Sequence, residues 1–338
     1  MRIATWNVEW FTNLFDARGR LLEDEDCSSR YKVTHRQQLE SIAIVLTAVD
    51  PDAVMVIEAP DNNRRRQTVP MLERFAARFD LRCRRALIGF ENDTQQEIAL
   101  LYDPDRMVVT HDPKGGPDSP TPRFDQDYLI DLDVDGTQDR VAFSKPPLEL
   151  QVKTVDGRAL RLIGAHLKTK APHGATTPEQ VRRIAIANRR KQLAECIWLR
   201  RRVLEHLAAD ESLVVLGDLN DGPGLDEYEK LFGRSGVEIV LGWDEDRKTR
   251  LFDPHAHVAF GKKVAAGPTT ARFYLEDEKR YFTALLDYIM VSPDLRALHP
   301  RWRIWHPFDD AACYQESELR EALLMASDHF PVSIDLPI

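Results

Sequence analysis

Apolar residues in this chain fall into short runs separated by polar turns, and their period alternates between that of strands and that of helices. Residues Arg2 to Val8 predict a strand that is central in its sheet. From Thr34 the TxxQ spacing predicts a capping box. Leu39, Ile42, Ala43 and Leu46 then recur at helical spacing until Asp50 and Pro51. Ala53 to Ile57 is continuously apolar, as in a strand buried on both faces, and Glu58 emerges at its carboxyl end. Ile98 to Tyr102 is the next strand, stopped by Asp103 and Pro104, and the Pro- and Gly-rich stretch 112–122 predicts a surface loop. Leu160 to His166 is another strand. Thr177, Pro178 and Gln180 then supply a cap, a first-turn proline and a capping-box glutamine for a long basic helix reaching about His206. Leu213 to Leu216, Leu285 to Val291 and Val332 to Leu336 complete the strands. Strands alternating with helices, without an internal repeat, predict a layered α/β architecture.

The polar residues at the strand ends change the picture from fold to chemistry. Asn7, Glu58, His166, Asp218, Asn220, Asp287, Asp328 and His329 all lie on or just after apolar strands. Carboxylate and carboxamide oxygens suit a hard cation such as Mg²⁺, and a histidine beside a carboxylate can take a proton from water. Asp218 and Asn220 stand two apart, so in an extended segment they share a face. Each residue also has an ordinary reading: Glu58 as a solvent-facing strand end, Asn7 and the GDLNDGPG segment as turn formers, His329 as a surface or core histidine. Lys168 and Lys170 could bind phosphate as point charges or simply be exposed. His255 and His257 have the HxH spacing of a zinc site, but no third ligand is near in sequence, and the segment is read as loop.

Composition narrows the class. At 338 residues, 43% of them hydrophobic and 30% charged, the chain is expected to be one globular domain spanning 1–338. A net charge of −9 excludes a purely electrostatic nucleic-acid binder, while leaving room for a carboxylate-rich cleft that meets phosphate through a cation. The basic runs Arg64 to Arg66 and Arg200 to Arg202 are expected on the solvated surface. Four well-separated cysteines form no CxxC pair and indicate neither a disulfide framework nor a zinc knuckle. With no apolar run fit for a signal or a bilayer span, the expected location is cytoplasmic.

Six segments in order, ATWNVEW, VMVIEAP, LIGAHLKTK, VVLGDLND, LLDYIMVS and SDHFPVSIDL, resemble the successive motifs of the endonuclease/exonuclease/phosphatase superfamily across nearly the whole chain. The resemblance implies a deoxyribonuclease-like four-layer sandwich, two packed mixed β-sheets flanked by helices. It implies a Mg²⁺ (or Mn²⁺) cofactor held by Glu58 with Asn7, and Asp328 as a second metal-side carboxylate. It implies that His329 is the general base, oriented by Asp287, and that Asp218 and Asn220 orient the nucleophile and stabilise phosphoryl charge. His166 resembles the histidine of deoxyribonuclease and sphingomyelinase relatives, a difference from abasic-site endonucleases, and Lys168 is the expected substrate contact. Many relatives carry Arg where this chain has Leu285.

The resemblance thus implies a phosphodiester hydrolase. A nuclease acting on DNA or RNA is the leading expectation, given the HLKTK segment and the Arg-rich helix after it. A phospholipid or inositol-phosphate phosphoesterase on the same core is the alternative, and an inactive binding module a remote one.

Overall fold

The structure is a computed structural model that describes the chain except residues 117–118, 133–136, 173, 223–232, 262–266 and 277. Parts of the loop 112–122 and the tail of the GDLNDGPG turn lie outside the described residues. In chain order the strands are β1 (Arg2–Asn7), β2 (Ala53–Ala59), β3 (Arg85–Ile88), β4 (Glu97–Tyr102), β5 (Met107–His111), β6 (Tyr128–Ile130), β7 (Asp139–Val141), β8 (Leu148–Thr154), β9 (Ala159–His166), β10 (Leu213–Asp218), β11 (Ala271–Leu275), β12 (Arg280–Ala284), β13 (Asp287–Val291), β14 (Arg301–Ile304) and β15 (Val332–Asp335). The helices are α1 (His35–Val49), α2 (Thr68–Arg78), α3 (Pro178–Ala208), α4 (Gly236–Leu241), α5 (Pro254–Gly261), α6 (Pro293–Arg296), α7 (Ala311–Gln315) and α8 (Ser317–Ala326).

Two mixed sheets form the centre. One has the order β14-β15-β1-β2-β4-β3 and the other β13-β10-β9-β8-β5, with two-stranded pairs β11-β12 and β6-β7 outside them. Ile3, Met55, Ile57 and Leu100 of the first sheet pack with Leu150, Leu162, Leu216 and Ile289 of the second in one buried apolar cluster. The outer face of the first sheet is covered by Leu39, Ile42 and Leu46 of α1, Phe75 of α2 and Leu323 of α8. The outer face of the second is covered by Trp198, Leu199 and Val203 of α3 and Val240 of α4. The result is the expected four-layer sandwich, and β1 is interior to its sheet. The continuous apolar run of β2 follows from burial of both its faces. Gly164 lets the two sheets pack closely at that point, since a Cβ there would collide with the Met55 sulfur.

Capping chemistry at the helix starts follows the sequence. Thr34 accepts from the Gln37 amide and Gln37 answers it in a full capping box. Thr177 caps α3 and Pro178 opens it, but the Gln180 side chain accepts from Thr176 rather than from the cap residue. Two expectations are corrected. Arg200 and Arg202 are buried, because α3 is covered by loops as well as by its sheet. Arg202 pairs with Glu149, donates to Lys114 O at 3.0 Å and Pro122 O at 2.8 Å, and stacks on Phe124; an ion pair and these carbonyl acceptors at both terminal nitrogens offset the burial of the guanidinium. His255 and His257 lie on helix α5, not in a loop. Asp253 accepts the His255 and Ala256 amides at 2.8 and 2.9 Å, so Asp253-Pro254 was a helix start passed over. On a helix such a pair diverges, and His257 packs on Trp243 and Phe252.

Candidate active site

Strand register assembles half of the site. β9 runs parallel to β10 with His166 opposite Asp218, and β10 runs antiparallel to β13 with Asp218 opposite Asp287. Three chemistry-bearing side chains therefore come from neighbouring positions of adjacent strands. Gly217 is required immediately before Asp218. Its φ is +135°, and a Cβ there would lie 2.0 Å from the Ala165 carbonyl oxygen.

The first sheet supplies the other half. β1 is parallel to β2 with Asn7 opposite Ile57. Across β2 and β4 the pairing shifts between Ile57 and Ala59, so Glu58 is the extra residue of a β-bulge, with φ +59°. Such a bulge re-aims a side chain, and left-handed backbone in a non-glycine residue is strain held by its surroundings. One holding contact is visible: Glu58 Oε2 accepts the Trp10 amide at 2.8 Å. Asp328 and His329 precede β15, where the Trp6 indole donates to His329 O at 2.9 Å and Ser327 Oγ donates to Asn7 O at 2.7 Å.

These groups converge. The Asn7 amide nitrogen lies 3.0 Å from Asp218 Oδ2 and 3.4 Å from Glu58 Oε1, drawing two carboxylates to one point, while its oxygen accepts the Glu9 amide. His166 Nε2 is 3.7 Å from Asp218 and 4.0 Å from Glu58. His329 Nδ1 meets Asp287 Oδ2 at 2.8 Å, and its Nε2 stands 4.0 Å from Asp218 and 3.9 Å from Asp328. Among the described residues the tightest group of possible metal-ligand atoms is Asp218, Asp287 and His329, all within 4.8 Å. That compactness reflects the Asp287–His329 hydrogen bond, which those two groups spend on each other. The remaining carboxylates, Glu58, Asp218 and Asp328, are the better match to a hard cation.

Burial sets the charges. It pushes the Asp218 carboxyl up to about 6, with Asp287 adding repulsion, and pushes Asp328 up to about 7 against the pull of His329. His329 is held well above the usual imidazole range: burial opposes its charge, but Asp287, Asp218 and Asp328 outweigh it. His166 is driven well below that range by burial and by Lys145, and is neutral near pH 7.

The structure also adds residues that strand-end periodicity could not find. Lys145, in the loop between β7 and β8, places Nζ 3.2 Å from His166 Nε2 and 3.3 Å from Nδ1. Burial lowers its pKa while Glu58, Asp218 and Glu195 resist. Glu195 of α3 faces the same cavity, accepts the Lys168 amide at 2.7 Å, and is pushed up to about 7 by burial. The cavity, about 870 Å³, is lined by Asn7, Glu58, Lys145, His166, Lys168, Asp218, Asn220, Asp328 and His329. Phe273, Leu275, Phe282 and Leu286, from the β11-β12 pair and the approach to β13, add apolar lining, as does the 41% exposed Trp10. Phe273 meets the His329 ring edge-on at 5.5 Å. All nine side chains named for the site therefore line this cavity except Asp287, which reaches it through His329. Leu285 is buried in the α3 core cluster instead of facing the cavity.

The sequence profile of the Endonuclease/Exonuclease/phosphatase family matches residues 4–329. The chain belongs to that family. It is accordingly a metal-dependent phosphoesterase of the endonuclease/exonuclease/phosphatase type. No curated protein matches the sequence significantly. Among solved structures, truncated TDP2 from Caenorhabditis elegans aligns with a TM-score of 0.50 at 15% identity, covering 98% of this chain and 96% of that one. An AP endonuclease from Archaeoglobus fulgidus aligns at 0.51 and 12% identity, with 100% of both chains covered. At such identities the likeness is one of fold.

The family's divalent cation fits the residues present. Half-buried Glu58 and buried Asp218, with Asp328 beside them, offer carboxylate oxygens to one cavity, the donor type a hard divalent cation takes, and crowding of Asp218 and Asp328 among like charges is what such a cation would relieve. Among the described residues no helix is long and apolar enough to cross a membrane.

Proposed function

We propose that this chain, as one catalytic domain, hydrolyses phosphodiester bonds in DNA or RNA, with His329 as general base. The observation that carries the reading is the pairing of a carboxylate–imidazole dyad with a cavity lined by both charged groups and the aromatic rings Phe273 and Phe282. A nucleic-acid strand offers both matching parts, a phosphate and a flat base. Glu58, Asn7, Asp218 and Asp328 would hold Mg²⁺ or Mn²⁺, which when bound supplies Lewis acidity toward the phosphoryl oxygens.

The chain's own groups do the rest. Asp287, hydrogen-bonded at Nδ1, fixes the ring with Nε2 toward the cavity; the surrounding carboxylates hold the imidazole protonated, and once a bound cation offset the charge of Asp218 and Asp328, Nε2 would be free to accept the proton of the attacking water. The new P–O bond forms from that water, the ester P–O bond breaks, and the leaving oxygen takes a proton from the Lys145 ammonium, which stands against neutral His166. Lys145 and Lys168 attract the phosphate as point charges. Asn220 donates Nδ2 to Leu167 O at 3.0 Å, which leaves its oxygen to orient the water.

The test is a panel of plasmid DNA, single-stranded DNA, RNA, a phosphoinositide and a phospholipid diester, each with Mg²⁺, Mn²⁺ or chelator. Metal-dependent cleavage of a nucleic acid, weakened steeply by salt, is the expected result. Turnover confined to the lipid or inositol substrates would replace the nuclease reading, and inactivity on every substrate with no cation bound would indicate a binding module.

A further inference from the structure

The catalytic side chains of the second sheet sit at the start of two loops, 167–171 after β9 and 219–222 after β10, and neither loop has a regular element of its own. Their backbone polar groups need partners, and helix α3 supplies several. Gln192 is fully buried, and its side-chain nitrogen lies 2.9 Å from Lys168 O, 2.9 Å from Asn220 O and 3.3 Å from Leu219 O. One amide group thus bridges both loops.

The orientation of that amide follows from chemistry. The Gln192 oxygen accepts from Arg189 Nη1 at 2.7 Å, and a guanidinium can only donate, so the nitrogen must face the three carbonyls. Arg189 is itself anchored on Asp221 Oδ2 at 3.0 Å, in the β10 loop. One turn further along the same face, Glu195 accepts the Lys168 amide at 2.7 Å. The spacing 189, 192, 195 keeps these side chains near one face of the helix.

The strained element is Asn220, whose φ of +49° turns its carbonyl toward α3. Its amide donates to Asp218 Oδ1 at 2.8 Å, so both ends of this left-handed residue are tied, one to the site and one to Gln192.

We infer that Gln192 is a positioning residue: it holds Asn220 and the Lys168 loop in mutual register for hydrolysis, acting through Asn220 rather than touching substrate. The inference rests on the role proposed above for Asn220. It is tested with a double-mutant cycle of Gln192→Met, which keeps length and volume but cannot donate, and Asn220→Ala, measuring kcat, KM and thermal unfolding of each purified full-length variant with Mg²⁺ and the preferred substrate of the panel. Expected are a fall in kcat of about 10- to 100-fold for Gln192→Met with KM changed less than 3-fold, and a double variant no slower than Asn220→Ala within about 3-fold.

Losses that multiply, an unchanged kcat in Gln192→Met, or an Asn220→Ala variant as fast as the parent would each overturn the inference. If Gln192→Met unfolds, Gln192→Asn serves in the same cycle, because it keeps an amide but withdraws it by one methylene from the bridge. Failure of the hydrolase reading is separate: it would appear as a parent enzyme without metal-dependent turnover or a His329→Ala variant with full turnover.

Discussion

The bulged Glu58 allows a quantitative test of whether this residue is kept for the cation or for the fold. Replacement by Ala removes the carboxylate, which accepts only the Trp10 amide at 2.8 Å and a long 3.4 Å contact from Asn7. Trp10 is 41% exposed, so its amide can be rehydrated, and the loss is about 1 kcal/mol. Relief of repulsion among the neighbouring carboxylates opposes that loss, so cation-free E58A should match the parent within about 1 kcal/mol. Replacement by Gly removes in addition the left-handed strain, about 1–2 kcal/mol, against about 0.4–1 kcal/mol of extra chain entropy in the unfolded state. E58G should therefore exceed E58A by about 0.5–1 kcal/mol. For 338 residues the unfolding entropy is roughly 0.7 kcal/mol per kelvin, so 1 kcal/mol moves Tm by about 1.4 °C. Mg²⁺ at a hundred times its Kd should raise the parent's Tm by about 4 °C and leave both variants unmoved. The assay is calorimetric melting with and without Mg²⁺, beside direct titration of the cation. A cation-free E58A several degrees below the parent would make Glu58 structural, and undiminished cation affinity in E58A would refute its assignment as ligand.

Three further outcomes are expected. His329→Ala should lower kcat by a factor of at least about 10² while cation affinity, measured by titration, changes only a few-fold, since the base is not counted among the ligands. Glu211 is buried enough to resist ionisation, yet Lys114, His206 and Arg161 donate to it and hold its carboxyl down at about 2. Its folded pKa lies below the unfolded value, so its stabilisation is complete above about pH 4.5 and is lost as pH falls toward 2; denaturant unfolding between pH 6 and pH 3 should show a steeper decline in the parent than in E211Q. Of the four cysteines only Cys27 is exposed, and burial pushes Cys83 up to about 12 and Cys313 up to about 11, so a thiol reagent should label one site in the native chain and four after denaturation.

How much could be read in advance depended on where a residue's reason lies. Asn7, His166, Asp218 and Asp287 sit on strands whose apolar runs announce themselves; strand register carries the last three together, and packing of the two sheets brings Asn7 to them. Glu58 was legible as a strand-end carboxylate, but the bulge that aims it was not, because an inserted residue leaves no trace in an apolar run. Lys145 was invisible for a different reason: it stands in a loop between two short strands, and only tertiary closure brings it to His166. Arg200 and Arg202 are not legible as buried because charge argues for solvent until carboxylate partners from distant segments, Glu245 and Glu149, are brought against them. Edge strands such as β3, β5 and β14 were missed because their residues are partly exposed and lack a continuous apolar signature.

The adjacency of His166, Asp218 and Asp287 on three neighbouring strands ties catalysis to the least yielding part of the molecule. An active centre hung on long loops can melt while its scaffold persists, so that heat inactivates before it unfolds. Here three of the proposed reactive groups share backbone ladders with the second sheet, and loss of turnover on heating should coincide with cooperative collapse of the whole architecture.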